Sequence, residues 1–524
     1  MSRTIKLLFA SALLNAICWI ILIPVWQYPD EQAHFAQVQY IAEIGGIPLG
    51  SSSLDTTYEV AFSEKILNTE RDDLGNNKFT YHPEYHIQYS NSEYGLNERE
   101  LINLPHEKRQ NLVKNEATLN PPLYYFLGST IYNFFSESSF FTRVYIVRLM
   151  SAAIFLSTVF ITYKLGQLIF KNSKILPIIL TTLIAFKPML VFSSTGVLPD
   201  TLTNFFFSLL IYICIKIILE NLSFFKTISL LIVIILGANT RQHFLITLFI
   251  LPFVMLEQLI FNKKSRKIIL GSAFIFAFFL YVLSFFVGPL SFIRQLDYPE
   301  SSQKINNPLV NLTYFEHLNW TIKHSIAEVW PWYWGIYKWL SLSLPPVVYQ
   351  IINRLVPIAL IGLLLKIIEI VKTRQYKKNL PVIFLILTST IYFFALTTFD
   401  FFFRKNDGFS FGIQGRYFFP TILAHMAILL VGFNKIFEVF FKKYAKYALL
   451  ALAIAMMSFN LFSLAFVSST YYDFSNLNTL IAQISQYKPI IIKGNILYLI
   501  FGLALMSQVL FLYSFTRDIL KLKS

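Results

Sequence analysis

Hydrophobic residues in this chain come in long unbroken runs, not at helical or alternating spacing. One run covers Leu7 to Ile23. Others lie near 147–170, 175–195, 201–219, 225–239, 243–261, 268–289, 352–371, 380–399, 416–433, 447–467 and 495–515. A helix needs about 20 apolar residues to cross a bilayer core, so the pattern predicts an all-α polytopic membrane protein with about 12 spans. The run 225–239 is short. One further apolar piece, Pro121 to Phe135, fits either a span or a helix lying on the membrane. The first run follows Arg3 and Lys6 and ends in Pro24-Val25-Trp26-Gln27, without the small residues of a cleavage site, so it reads as an uncleaved span. The expected organisation is a first transmembrane helix (1–26), an extracytoplasmic loop with juxtamembrane helices (27–146), transmembrane helices (147–289), a second extracytoplasmic segment (290–350) and further transmembrane helices (351–524).

Composition agrees and narrows the class. Of 524 residues, 55% are hydrophobic and only 14% charged, against about 25% charged in a soluble domain. Mean hydropathy is +0.55. A soluble enzyme, a disordered chain and a nucleic-acid binder are excluded. The net charge of +15 must then be sorted by side of the membrane. With the N-terminus cytoplasmic and 121–135 not crossing, the short loops on that side, from Arg3 to Lys523, collect 23 of the 44 Lys and Arg but only five acids. If 121–135 crossed, every later basic loop would move outside, against the positive-inside rule. Both termini are therefore expected in the cytoplasm and the chemistry at the outer face of the plasma membrane. Cys18 and Cys214 lie inside apolar runs, which rules out a disulfide framework or a cysteine zinc site.

The most distinctive polar stretch is Tyr28-Pro29-Asp30-Glu31-Gln32-Ala33-His34-Phe35. Asp30 is placed to cap a helix with Glu31 in its first turn. That helix is expected to run to about Glu43 and to stop at Gly45-Gly46. Phe35, Val38 and Ala42 make one stripe; Asp30, His34 and Gln37 share another face. The pattern predicts an amphipathic helix at the outer leaflet, with a carboxylate and an imidazole facing one space. Desolvation suits such a carboxylate to general-base work. A second acid, Asp200 in Leu198-Pro199-Asp200-Thr201, opens a span and is the only acid between Glu137 and Glu220. Cations lie at comparable edges. Arg416 sits in Gln414-Gly415-Arg416-Tyr417, where a guanidinium can hold a phosphate bidentately and Gly415 would let the backbone approach a ligand. Arg241-Gln242-His243 lies between two spans, and Lys187 lies inside an apolar run before Pro188.

Other features admit ordinary explanations. In Tyr81-His82-Pro83-Glu84-Tyr85-His86 the proline argues against a helix aligning the histidines, so no metal site is expected. The aromatic run Trp330 to Trp339 suits an interfacial belt or a stacking platform for a sugar. Asp400, Arg404, Lys405 and Asp407 read as a polar outer loop before Gly415. The segment 50–118 reads as a loop over the outer mouth.

Taken in order, these motifs resemble a known family. Pro29-Asp30-Glu31-x-x-His34-Phe35 resembles the opening of the GT-C superfamily of membrane glycosyltransferases. Asn120-Pro121-Pro122-Leu123-Tyr124-Tyr125 resembles their PPL-Y motif, Val147-Arg148-Leu149-Met150-Ser151 the start of their next span, and Leu198-Pro199-Asp200 their second acidic loop. Within that superfamily the chain is most similar to a bacterial branch of unassigned function reading PPDExxHF near the N-terminus and QGRYFxP near the C-terminus; here Tyr28 replaces the first proline. The resemblance covers most of residues 1–435. It implies a GT-C-like architecture with a large first extracytoplasmic loop. It also implies a polyprenyl-phosphate-linked sugar as donor, a glycan, lipid or protein acceptor, and transfer at the non-cytoplasmic face by inverting displacement with Asp30 as base.

The candidate catalytic residues are thus Asp30, Glu31, His34 and Asp200. The candidate substrate-binding residues are Arg416, Arg241, Lys187, His243, Gln414 and Tyr417. No cofactor or catalytic metal is expected, although a divalent ion fits the resemblance; the partners are the lipid-linked sugar, its acceptor and membrane lipid, with no nucleic acid. Three alternatives remain open at this point: a transporter or flippase of lipid-linked saccharides, a polysaccharide polymerase or ligase, and a structural partner in an envelope complex.

Overall fold

A computed structural model describes residues 3–46, 54–70, 93–109, 112–114, 120–261, 271, 309 and 311–521. In chain order the first helices are α1 (Arg3–Leu22), α2 (Glu31–Glu43), α3 (Tyr58–Ile66), α4 (Tyr94–Ile102), α5 (Leu123–Asn133), α6 (Phe140–Ile169), α7 (Leu176–Ala185), α8 (Pro188–Thr195), α9 (Asp200–Glu220), α10 (Phe224–Ala238) and α11 (Thr247–Phe261). Long helices follow at Pro346–Thr373, Tyr376–Asp407, Ile422–Phe440, Ala445–Ser469 and Ile496–Lys521. The protein is an all-α polytopic membrane protein.

Among the described residues, 8 helices are long and apolar enough to cross a membrane, or 9 if the bent pair α7–α8 is one span. The sequence pattern gives about 12, and the difference falls on four runs. The run 175–195 is broken by 56° at Phe186-Lys187, ahead of Pro188. The run 225–239 forms the 15-residue α10, short for a span. The run 268–289 lies outside the described residues. The run 352–371 lies in the helix Pro346–Thr373, which packs along Ile422–Phe440. That crossing is close because each helix puts a glycine at the contact: a Cβ on Gly362 would strike the Gly432 carbonyl, and one on Gly432 the Ala359 carbonyl.

The polar start of the chain is shaped by what covers it. Helix α2 occupies Glu31–Glu43 as its periodicity predicts, but every residue from Glu31 to Gln39 is buried. It is an internal helix, not one lying on a leaflet. Helix α5 packs against it; Gly128 closes on Val38, whose Cγ2 lies 2.7 Å from where a glycine-replacing Cβ would sit. At 11 residues, α5 is about 16 Å long, too short for a bilayer core of about 30 Å, so 121–135 does not cross.

Parts of the segment 50–118 clamp onto the other side of α2. Strands β1 (Leu54–Thr57) and β2 (Leu112–Lys114) pair antiparallel. Buried Glu59 of α3 takes a two-pronged bond from Arg143 of α6 (2.6 and 2.9 Å) and a bond from Gln39 of α2. The motif at 81–86 lies outside the described residues.

Two sequence expectations change here. Asp400, Arg404, Lys405 and Asp407 are not in a loop. The helix Tyr376–Asp407 runs through them and stops at Gly408, which takes the left-handed conformation (φ 82). Asp400 is fully buried, and its carboxylate accepts from Ser410 Oγ (2.9 Å) and from the Phe411 amide (2.7 Å). The run Trp330 to Trp339 forms a short helix (Trp330–Trp334) and a two-residue hairpin strand, with Tyr333, Trp334, Tyr337 and Trp339 buried inside the protein. It is neither a surface belt nor an exposed platform.

Candidate functional site

Helix α2 is preceded by Pro29, which cannot donate a backbone hydrogen bond, and by Asp30 in the left-handed region (φ 57). That conformation costs a non-glycine residue about 1–2 kcal/mol. The Asp30 carboxylate makes no capping bond to its own helix. It instead accepts from Arg416 Nη2 at 2.9 Å. Arg416 comes from the far end of the chain, in the 3-10 turn Gly415–Thr421 that leads into a span. Its Nε donates to Gln414 Oε1 (2.8 Å), and its guanidinium lies 5.5 Å from the Tyr417 ring centre. Among the described residues Arg416 Nη1 is buried without a partner. Asp30 keeps 44% of its side-chain surface exposed against 6% for Arg416, so the acid is the member of the pair that an incoming molecule reaches first.

A second acid–arginine pair stands beside the first. Asp200 opens α9 after Pro199. Its Oδ1 accepts from Arg241 Nε at 2.9 Å, and Arg241 Nη1 also donates to the Asn120 side chain. The two pairs form one electrostatic unit. Arg241 and Arg416 both act on both acids. Burial pushes the Asp30 carboxyl up, but the Arg416 guanidinium beside it, with a smaller share from Arg241, more than reverses this and holds it below its usual value. For His34, burial is the larger effect; with Arg241 it lowers the imidazole to about 3 despite Asp30 and Asp200, so the ring is neutral at pH 7. His34 Nδ1 shares a 2.8 Å hydrogen bond with the Tyr125 hydroxyl, while its Nε2 is buried with no partner among the described residues.

The structure therefore brings together Asp30, His34, Asp200, Arg241, His243, Gln414, Arg416 and Tyr417. It sends two other candidates elsewhere. Glu31 is fully buried and faces Arg148 of α6, which reaches both of its oxygens at 2.8 and 2.6 Å. The amides of Trp26 (3.1 Å) and Val197 (3.2 Å) complete its shell. Arg148 also donates to the carbonyls of Ile20, Ile23 and Pro24. This pair ties the end of α1, the start of α2, α6 and the 196–199 turn to one point, and so fixes Asp30 relative to Asp200. Lys187 is sealed at the α7–α8 break. Its Nζ donates to the Tyr333 carbonyl (2.9 Å) and sits 4.0 and 3.9 Å from the Tyr333 and Trp334 ring centres. Gly415 also differs from expectation. The space a Cβ would need is filled by the backbone of Trp332-Tyr333, not left for a ligand.

Reasoning from sequence did not name Asn120, Tyr125 and Arg148 as part of this arrangement. All three sit in the short motifs at 120–125 and 147–151, which were the available signal. Among the described residues no group of three or more His, Cys, Asp or Glu could hold a metal ion.

Two solved structures are similar in outline. One is the archaeal oligosaccharyltransferase AglB from Archaeoglobus fulgidus in complex with an inhibitory peptide and a dolichol-phosphate. It has 14% identity and a TM-score of 0.43 over 91% of this chain and 57% of that chain. The other is the Archaeoglobus fulgidus oligosaccharyltransferase in the apo form, with 14% identity and a TM-score of 0.41 over 93% of this chain and 56% of that one. The chain thus spans little more than half the length of either. No curated protein matches it. A family described as "Predicted membrane protein (DUF2142)" matches residues 13–425, which contain the whole Asp30–Asp200–Arg241–Arg416 cluster, and the chain belongs to that family.

Proposed function

We propose that this protein is a membrane glycosyltransferase of GT-C type. It moves a sugar from a polyprenyl-phosphate donor to an acceptor hydroxyl at the extracytoplasmic face of the plasma membrane. The observation that carries this reading is the interlocked pair of acid–arginine contacts at the ends of spans: two cations suited to a lipid phosphate, and beside them a reachable carboxylate. The motif resemblance of residues 1–435 supports the donor class, and the distribution of Lys and Arg supports the side.

The step is a single displacement. The acceptor O–H gives its proton to an Asp30 oxygen as the acceptor oxygen bonds to the anomeric carbon. The bond from that carbon to the phosphate oxygen breaks, and the lipid phosphate leaves with the electron pair. Arg416 and Arg241 stabilise the charge growing on it. Asp30 is a weak base while Arg416 holds it. Once Arg416 turns to the phosphate, much of that restraint is removed and the carboxylate becomes more basic, so donor binding prepares the base. Neutral His34, through its unpartnered Nε2, orients the acceptor. Asp200 fixes Arg241. Glu31 and Arg148 set the frame and touch no substrate.

The deciding experiment follows release of polyprenyl phosphate from radiolabelled polyprenyl-phosphate sugars by reconstituted wild type and Asp30→Asn, with an envelope extract as acceptor source. Release by wild type alone supports donor class and base together. No release from any donor rejects the reading. One observation favours a second reading, a transporter of lipid-linked saccharides: the α7–α8 break with a buried lysine. Movement of an uncleaved donor across the bilayer would be its signature.

A further inference from the structure

The helices that carry the Glu31–Arg148 pair frame a separate cavity at their other ends. Along α6, Gln167 stands about 28 Å beyond Arg148 at about 1.5 Å per residue, close to the thickness of a bilayer core, about 30 Å. There the start of α1, the end of α6, the start of α7 and the end of the helix Ile496–Lys521 enclose a cavity of about 620 Å³. That size lies within the range of small-molecule sites, about 300–1,000 Å³. The cavity and the Asp30–Arg416 cluster therefore sit at opposite faces of the membrane. The distribution of Lys and Arg assigns the cavity's face to the cytoplasm.

The wall has two characters. Ile5, Ile178, Phe515 and Ile519 make part of it apolar, while Lys171, Lys174 and Lys521 set three cations against one acid, Asp518. Among the described residues none of these lysines has an ion-pair partner. Asp518 Oδ2 accepts from the Thr4 hydroxyl (2.5 Å), a bond that joins the first helix to the last. The Tyr163 oxygen accepts from Gln167 Nε2 (3.1 Å), which leaves the hydroxyl's own hydrogen to donate; both residues line the cavity. Helix α7 starts at the cavity, and Ser173 Oγ already accepts from the Ile175 and Leu176 amides (3.2 and 3.1 Å). That helix end thus adds its positive dipole and not those two donors. Lys174 beside a positive helix end is an unfavourable placement that an anion relieves.

We propose that this cavity holds an anionic phospholipid of the cytoplasmic leaflet, its phosphate among Lys171, Lys174 and Lys521 and the upper part of its acyl chains against the apolar wall. Both characters of the wall are needed to choose this occupant. A soluble phosphate ester uses the lysines and leaves the apolar wall empty. A zwitterionic lipid brings no net negative charge to a site with an excess of cations. Basic pockets between span ends on the cytoplasmic side suit anionic headgroups. The lipid joins the first helix, the α6–α7 turn and the last helix, so its binding stabilises the folded chain. The inference is independent of the transferase reading.

The test measures binding of radiolabelled short-chain phosphatidylglycerol to the full chain in neutral detergent. Phosphatidylcholine of the same chain length and glycerol phosphate are the comparison probes. Wild type should bind phosphatidylglycerol saturably, with a rise in melting temperature, and each comparison probe at least about tenfold more weakly. Replacing all three cavity lysines (Lys171→Gln, Lys174→Gln, Lys521→Gln) should weaken phosphatidylglycerol about a hundredfold. These side chains are exposed, so the variant should fold like wild type. The combination Lys372→Gln, Lys377→Gln, Lys378→Gln removes the same charge from exposed positions that do not line the cavity, and it should bind like wild type. Ile5→Trp keeps every charge but fills the cavity, and should weaken binding several-fold. The proposal is overturned by equal losses in the two triple variants, which would mean diffuse attraction to a basic surface, or by no loss in the first. Phosphatidylcholine binding as tightly as phosphatidylglycerol overturns it as well. So does glycerol phosphate binding as tightly, which would make this a small-phosphate site. If Ile5→Trp does not fold, the two triple variants decide.

Discussion

The two acids that open α2 are neighbours in sequence, and each meets an arginine. Glu31 meets Arg148 with both side chains wholly buried, and each Glu31 oxygen accepts from the guanidinium and from a backbone amide. Asp30 meets Arg416 with nearly half of its own surface open and with one nitrogen of its partner unpaired among the described residues. A buried pair with a complete shell has nothing to exchange; removing one partner only strands the other charge. A pair with an open acid and a spare donor can trade its contacts for those of a substrate. The difference separates a structural staple from a reactive site built one residue away from it.

The sharpest way to break this contrast is to cut the staple. Arg148→Leu leaves Glu31 charged and buried with no counter-ion, a loss of about 3–5 kcal/mol, and withdraws donors from the Ile20, Ile23 and Pro24 carbonyls. The expected result is loss of folded protein, read as monodisperse yield and melting temperature. A folded, active Arg148→Leu would show that the pair does not set the frame.

Asp30→Asn should do the reverse. The amide keeps the side chain's shape but loses the base, so turnover should fall by about 10²–10⁴ with the melting temperature little changed. Arg416→Lys comes next. A point charge replaces a planar fork, and the bond to Gln414 is lost. The expected effect is a rise in donor KM of about tenfold at nearly wild-type yield, measured in the same release assay.

These contrasts also show what could be read in advance. The long apolar runs announced the helices because a bilayer accepts little else. The extent of helix α2, Glu31 to Glu43, was legible because its stop at Gly45-Gly46 is local; the expected cap from the Asp30 side chain does not form, because that carboxylate goes to Arg416. That Asp30, Asp200, Arg241 and Arg416 face one another was not: they are separated by up to 386 positions, and only tertiary packing joins them. Glu31 was misread for a related reason. An acid in a first helical turn looks the same whether it faces a cavity or an arginine 117 residues away. Gly415 could not be understood without knowing that the Trp332-Tyr333 backbone lies against it. The break at Lys187 was hinted at by Pro188, but the aromatic rings that enclose the lysine come from 330–334.

The cluster should also carry a pH signature that the staple lacks. His34 is lowered from 6.5 to about 3 in the fold, so between those values the unfolded chain binds the proton that the folded chain refuses. Stability is therefore fully present above pH 6.5 and falls as the pH drops toward 3, at most by about 1.4 kcal/mol per pH unit from this group. The charges facing the ring are Asp30, Asp200, Arg241 and Arg416. Asp30 adds a smaller term of the same sign, lost as its own carboxylate protonates. Melting temperatures from pH 7 to pH 4 should slope downward in wild type and less steeply in His34→Gln. An unchanged slope in His34→Gln would mean that another group carries it.

The smallest effect tests whether the cluster depends on fine positioning. Tyr125 touches neither acid through a hydrogen bond; its hydroxyl meets His34 Nδ1 at 2.8 Å. Tyr125→Phe removes that bond and keeps the ring, for a cost of about 1 kcal/mol. If His34 orients the acceptor through Nε2, releasing Nδ1 lets the imidazole rotate, and turnover should fall several-fold with donor KM unchanged. The low-pH slope should become shallower as well, since a looser ring is more easily hydrated and protonated. A purely structural hydroxyl would lower the melting temperature and leave both turnover per folded molecule and the pH slope where they were. Tyr124→Phe, which cuts the neighbouring buried bond to Ser151 (2.7 Å) on the staple's side of α5, is the matched control: it should show that second pattern.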